Sequence, residues 1–309
     1  MTNKDIKGVV VPILTPLNSD ETVDTKSLRK LTNYLIDNGV HGIWISGTTG
    51  EFASLSDHER LVSIDTLVDE VAGRVPVIGN ISGPSTELSL KMAREISEIE
   101  LDGIAVTPPY YYPHSQDELL DHYRYISDKS SMPLWIYNIP QTVKTSVAPL
   151  TMVTLATEGA VVGVKDSSGT GELLAELNVL CEQGDISFLR FLGTLYRTTN
   201  SGGVGAHGVI PAIANLVPKA ASEGWEAGEI GDAEACKRAN AQLLSAVKIS
   251  RLAKSGGPNA ASLSGLKSAL KIMGVLDNDT VSRPLRPLTS EERQGIPAIL
   301  EELNLPVTV

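Results

Sequence analysis

The chain is predicted to fold as an α/β protein, a (β/α)8 TIM barrel with a C-terminal helical extension. Three observations predict it. Short β-branched runs alternate almost strictly with amphipathic stretches, the strand-type runs number eight, and after residue 231 the strand pattern stops. Strand-then-helix units of this kind require right-handed parallel crossovers, and eight of them close a barrel. An open doubly wound sheet is the competing architecture, but the turn after the first strand carries no GxGxxG glycines and ends in Thr15-Pro16.

The strand segments are 8–14 (GVVVPIL), 42–46 (GIWIS), 75–81 (VPVIGNI), 103–107 (GIAVT), 133–138 (PLWIYN), 161–165 (VVGVK), 188–193 (FLRFLG) and 208–213 (GVIPAI). Each is short and apolar, as strands buried on both faces are. Helical periodicity marks 25–37, 57–71, 86–99, 116–127 and 172–181. Ser56 or Asp57, Ser85 or Thr86, and Ser115 stand where N-caps belong. Gly231-Asp232 reads as a helix stop followed by a new cap, which divides the chain into a barrel domain, 1–231, and a helical domain, 232–309. The second contains helical patterns at 233–254, 263–273 and 290–303, with a GGPN breaker at 256–259.

Of the 309 residues 42% are hydrophobic, enough for a large core, and the formal net charge of −11 argues against nucleic acid or an anionic membrane as partner. Cys181 and Cys236 have neither CxxC spacing nor a disulfide framework around them. The opening MTNKDIKG lacks the apolar core of a signal peptide, and no stretch reaches about 18 uninterrupted apolar residues. A cytoplasmic location is expected. His41, His58, His114, His122 and His207 show no HxH or HExxH spacing, so no metal is expected.

In such barrels chemistry sits where strands end. That rule selects Thr15, the GTTGE turn (Gly47, Thr48, Thr49, Gly50, Glu51), Asn80 and Ser82, the tyrosines 110–112 within PPYYYP, Tyr137 and its YNIP continuation, Lys165 with Ser167 in KDSSG, Gly193-Thr194, and Ile210. It rejects the glycines of SGGVGAHG, 201–208, which precede the eighth strand. Lys165 is the anomaly, an ammonium interrupting the run Val161, Val162, Gly163, Val164. Two readings stand side by side: an ion pair with Asp166 or another carboxylate, or an amine held neutral by desolvation and able to attack a carbonyl. Tyr137 either relays protons or caps the barrel with a wet hydroxyl. GTTGE suits a small carboxylate held by hydroxyls and backbone amides, or is a structural turn. The tyrosine run suits an active-site rim or a subunit contact.

GTTGE, TPPYYYP, YNIP and GVKDSSG, each after its strand, together resemble the dihydrodipicolinate synthase and N-acetylneuraminate lyase family of pyruvate-dependent class I aldolases. The resemblance implies that Lys165 forms a Schiff base with a 2-oxo acid and needs no separate cofactor. It implies that Tyr137, Thr48 and Tyr111 form a hydroxyl relay, with Tyr111 reaching in from a neighbouring subunit of a homotetramer built as a dimer of dimers. Gly47, Thr49, Ser167, Gly193 and Ile210 would line the 2-oxo acid site. Thr142 stands where dihydrodipicolinate synthases carry an arginine that clamps a substrate carboxylate, and Lys144 is a less directional substitute. The expected activity is therefore cleavage or formation of a 2-keto-3-deoxy sugar acid or related 4-hydroxy-2-oxo acid, with pyruvate and an aldehyde as partners. Dihydrodipicolinate synthesis, sugar-acid dehydration and non-catalytic 2-oxo acid binding are the alternatives.

Overall fold

The computed structural model describes residues 6–169 and 171–308; the leader reading of MTNKDIKG falls largely on residues 1–5, outside the described residues. Eight parallel strands close a barrel in sequence order: β1 (Gly8–Pro12), β2 (Gly42–Ile45), β3 (Val77–Asn80), β4 (Gly103–Val106), β5 (Leu134–Asn138), β6 (Gly163–Asp166), β7 (Leu189–Leu192) and β8 (Gly208–Val209). Closure is made by β8 against β1, with Gly208 beside Gly8 and Val209 beside Val9.

Most strands are shorter than their apolar runs, and at β3 and β8 proline interrupts the ladder. Pro76 has no N–H to donate, so β3 starts after it, and Pro211 ends β8, after which a 3-10 turn (Ala212–Asn215) takes over. Between the strands lie α1 (Thr25–Asp37), α2 (Asp57–Val71), α3 (Thr86–Glu95), α4 (Gln116–Lys129), α5 (Pro140–Val143), α6 (Pro149–Thr157), α7 (Glu172–Gly184) and α8 (Pro218–Ile230). The caps at Ser56, Ser85 and Ser115 form as expected, the last as a full capping box with Glu118. Helix α3 stops short of the predicted 99, because Ile96 leaves the helical conformation and turns into the core. Helices α5, α6 and α8 each have Pro in the first turn, where its missing N–H costs nothing.

Beyond Gly231 follow α9 (Ala233–Ala246), a 3-10 stretch (Val247–Leu252), α10 (Pro258–Ile272), α11 (Ser290–Arg293) and α12 (Ile296–Glu302). The predicted helix 290–303 is thus two, and Pro297 explains the break, since proline is accepted only in the first turn of a helix.

Two apolar layers result from the period-2 alternation of strand side chains. One joins strands to the surrounding helices and to the extension. The other fills the barrel: Val10, Trp44, Ile78, Ala105, Trp135, Tyr137, Phe191 and Ile210. Its aromatic rings meet edge-on, Trp44 against Trp135 at 6.2 Å and Tyr137 at 5.6 Å, and Trp135 against Phe191 at 5.6 Å. Room for these rings comes from small residues at the seam. A Cβ on Gly208 would lie 2.0 Å from the Gly8 carbonyl oxygen, a backbone atom that cannot step aside. Gly208→Ala is therefore expected to open the closure and destabilise the protein by about 3 kcal/mol, read as a lowered urea midpoint.

Candidate active site

The register of the adjacent strands β5 and β6 sets Tyr137 beside Lys165. In-register residues of neighbouring strands point to the same side, so both side chains enter the barrel. Lys165 is only 3% exposed. Its Nζ lies 4.2 Å from the Tyr137 ring centre and 5.1 Å from that of Trp44. Among the described residues it makes no ion pair. Asp166, the partner offered by the structural reading of Lys165, is committed elsewhere. Its carboxylate accepts from Asn138 Nδ2 at 2.8 Å and from the Ser168 amide and hydroxyl at 3.1 and 3.0 Å. The ion-pair reading of the Lys165–Asp166 dipeptide is thus corrected: side chains alternate along a strand, and these two face opposite ways.

Taken out of water beside the rings of Trp44 and Tyr137, the ammonium is disfavoured, and desolvation brings the Lys165 pKa down to about 7. The buried Tyr137 phenol moves the other way, pushed up to about 12 by desolvation against the opposing pull of hydrogen bonds with Thr48 and Ser167. Thr48 Oγ1 stands 3.0 Å from the Tyr137 hydroxyl, and either can donate. A phenol so reluctant to ionise cannot store a negative charge, but it can pass a proton on while receiving one.

The remaining site candidates separate into groups. Ser167 and Gly193 touch: the Gly193 amide donates to the Asp166 carbonyl at 2.6 Å, and a Cβ on Gly193 would fall 1.9 Å from Ser167 Oγ. Only glycine lets β7 end this close to the loop after β6. Ile210 is buried in the interior cluster with Tyr137 and Phe191. Gly47 and Thr49 sit in the same tight turn as Thr48, with Thr49 9% exposed. Thr15, Asn80 and Ser82, which also end strands, are braces. Thr15 donates to the Gly50 carbonyl, Asn80 to the Ser46 carbonyl, and Ser82 to Asn80 while accepting from the Thr107 amide.

Above Thr48 opens a cavity of about 370 Å3, walled by Phe52, Tyr110, Ile139 and Thr142 from the barrel loops and by Leu263 and Leu285 from the extension. Thr142 lies on α5 and faces this space, as does Lys144, whose Nζ is bonded to the Gln141 carbonyl at 2.9 Å. Tyr111 is not brought to Tyr137 within the chain. It is 87% exposed, at φ +90°, and stacked edge-on against Tyr112.

Two charged residues were not among the sequence candidates. Arg60 is buried behind Phe52, with Nε on Ser46 Oγ at 3.3 Å and a terminal nitrogen on the Asn80 carbonyl at 3.0 Å, tying the ends of β2 and β3. Lys267 is fully buried and bonded to Glu51 of the GTTGE turn. Its signal was present: it shares the apolar stripe of Leu263, Leu266 and Leu270 on α10, an anomaly of the same kind as Lys165.

Comparison with known proteins agrees with this arrangement. The profile of the dihydrodipicolinate synthetase family matches residues 5–303. A 4-hydroxy-tetrahydrodipicolinate synthase of Trichlorobacter lovleyi is 33% identical over 97% of this chain and 99% of its own. A DapA-like lyase of Halobacterium salinarum is 32% identical over 97% of this chain and 95% of its own. Among solved structures, the dihydrodipicolinate synthase of Bacteroides thetaiotaomicron superposes with a TM-score of 0.90 at 30% identity, covering 97% and 99% of the two chains.

The depressed lysine pKa fixes the sign of a stability effect. The unfolded chain holds a proton on Lys165 up to about pH 10.5, while the native chain releases it near 7, so Lys165 weakens the fold below 10.5 and increasingly so down to 7. Lys165→Met should stabilise the protein at pH 7 by roughly 3 kcal/mol, the gain vanishing as pH approaches 10.5, in denaturant titrations across that range. Tyr137→Phe keeps the ring beside Lys165 and removes the hydroxyl that meets Thr48, and should lower the limiting turnover rate about 100-fold with little change in folding.

Proposed function

Since the chain belongs to the dihydrodipicolinate synthetase family, whose members are lyases of the pyruvate-dependent aldolase type, we propose that it cleaves a 4-hydroxy-2-oxo acid, the class that includes 2-keto-3-deoxy sugar acids, into pyruvate and an aldehyde, or runs that reaction in reverse. The observation that carries this reading is the desolvated, unpaired Lys165 beside the Tyr137–Thr48 hydroxyl pair.

The neutral Nζ of Lys165 attacks the ketone carbon, water leaves, and a protonated imine forms. Tyr137 takes the proton of the C4 hydroxyl as it hands its own to Thr48, which releases its hydroxyl proton to water in the cavity. The C3–C4 bond breaks, its electron pair moves into the imine, and the aldehyde departs. The enamine left on Lys165 is protonated at C3 and hydrolysed to pyruvate. Thr49, the amides of the turn at Gly47, Ser167 and Gly193 would hold the 2-oxo acid, with Ile210 against its apolar side. No cofactor is required, because the imine itself accepts the electrons.

The choice of a hydroxy-oxo acid over aspartate semialdehyde rests on Thr142. It faces the cavity where a guanidinium would be needed to clamp the second carboxylate, and loss of such a charged bidentate pair costs about 2 kcal/mol or more. The relatives named as synthases keep that activity as the second reading. Tyr111, held at a positive φ with its ring in solvent, supports assembly as a tetramer of tight dimers in which the ring enters a neighbour's site. A cytoplasmic setting is proposed from the two free cysteines and the acidic composition of the chain.

Borohydride added with saturating pyruvate should fix a covalent adduct on Lys165, located by peptide mass, and Lys165→Met should give none; an unmodified Lys165 in folded protein would sink the proposal. In a panel of 2-keto-3-deoxy acids with aspartate semialdehyde plus pyruvate as the other arm, aldehyde release from the former is expected. Turnover confined to the semialdehyde would establish the synthase reading, 2-oxo products without aldehyde a dehydratase, and adduct without any turnover a binding protein.

A further inference from the structure

The turn that carries Thr48 and Thr49 is held from outside the barrel. Glu51, the last residue of the GTTGE turn and at φ +60°, lies at the cavity wall and reaches into the extension, where its side chain is fully buried with Lys267 of α10. One carboxylate oxygen takes the Lys267 ammonium, and the other accepts from both the amide and the hydroxyl of Ser282 at 2.6 Å. Lys267 gives a second bond to the Thr280 carbonyl at 2.8 Å. The segment that supplies Thr280 and Ser282 is itself fixed at both ends. Asp277 pairs with Lys26 and Lys30 of α1, Asp279 with Lys271 and Arg293, and Arg283 with Glu21.

We infer that the Glu51–Lys267–Ser282 network is a positioning device for the reaction, by which the helical extension sets the turn that presents Thr48 to Tyr137 and Thr49 to the 2-oxo acid. A buried ion pair returns in Coulomb attraction little more than its desolvation costs, so well-packed apolar residues would serve stability as well. What a fully bonded pair supplies is one geometry. Here that geometry is imposed on a residue in a left-handed conformation that glutamate adopts only at a cost. The Glu51 amide bonds the Thr48 carbonyl at 3.1 Å, and the Phe52 amide the Gly47 carbonyl at 3.3 Å, so a shift at Glu51 is transmitted directly to Thr48. The inference rests on the proposed roles of Lys165, Thr48 and Thr49.

Two full-length variants test it. Glu51→Leu/Lys267→Met replaces the pair by apolar side chains, a swap of the kind that preserves folding; Ser282→Ala removes one hydroxyl donor and leaves the charges in place. The readouts are the pyruvate concentration giving half-maximal borohydride trapping on Lys165, the limiting trapping rate, and the melting temperature. The double variant should need about tenfold more pyruvate and Ser282→Ala about threefold more. A purely structural role would move the melting temperature alone. Variants that fold and trap with wild-type pyruvate dependence overturn the inference while leaving the Lys165 reading standing. Should the double variant not fold, Ser282→Ala decides: a threefold rise supports the positioning role and a wild-type value overturns it. A wild-type chain that forms no adduct sinks the Lys165 reading and this inference with it.

Discussion

Everything at the catalytic end depends on keeping one ammonium group out of water without giving it a counterion. The barrel interior achieves this with rings. Trp44, Trp135, Tyr137 and Phe191 fill the space that aliphatic layers would otherwise take, and the faces of Trp44 and Tyr137 lie beside Lys165 Nζ. Aromatic faces attract a cation weakly, far less than a carboxylate would, so the amine is shielded from solvent yet not locked in its charged form. A carboxylate at the same distance would raise the pKa and leave an ammonium with no lone pair to attack a ketone. Asp166 is kept from that role by strand alternation and by three hydrogen bonds of its own.

The same logic divides the residues around the mouth. Groups whose polar atoms are used up by neighbouring backbone, such as Thr15, Asn80 and Ser82, hold strand ends together. The Tyr137 and Thr48 hydroxyls, by contrast, are bonded to each other and not to backbone. The cavity beyond them draws its walls from the second, fourth and fifth barrel loops and from the extension. Lys165 and Tyr137 sit on strands, where register leaves no freedom, whereas Thr142 sits on α5 at the cavity wall.

Much of this was legible in the sequence, for a physical reason. Parallel strands buried on both faces must be continuously apolar, so eight such runs count the strands, and a lysine inside one of them is conspicuous. Order then made the fifth and sixth strands neighbours, which set Tyr137 beside Lys165 before any coordinates. The roles of Thr48 and Tyr111 came from family resemblance, since nothing in the spacing alone says which hydroxyl meets the phenol. Strand ends were overestimated at Pro76 and Pro211, where apolar character continues but hydrogen bonding does not. Side chains whose work is decided by distant partners stayed hidden. Neither Thr15 nor Asn80 announces that it is a brace, and Glu51 gives no local sign that its partner lies on α10. Lys267 could have been found by the reasoning that found Lys165, applied to a helix stripe in place of a strand.

Glu51 and its partners are 216 and 231 residues apart in the chain. As the chain emerges from a ribosome, all eight strands are out by Val209, well before Lys267 and Ser282 appear. A barrel closing at that stage would leave the Glu51 carboxylate facing water, with the partners that bury it not yet made. Completion of the turn beneath the substrate is thereby deferred to the last tenth of synthesis. A truncated chain lacking that portion would keep Lys165 on its strand and leave the Glu51 turn without its Ser282 donors.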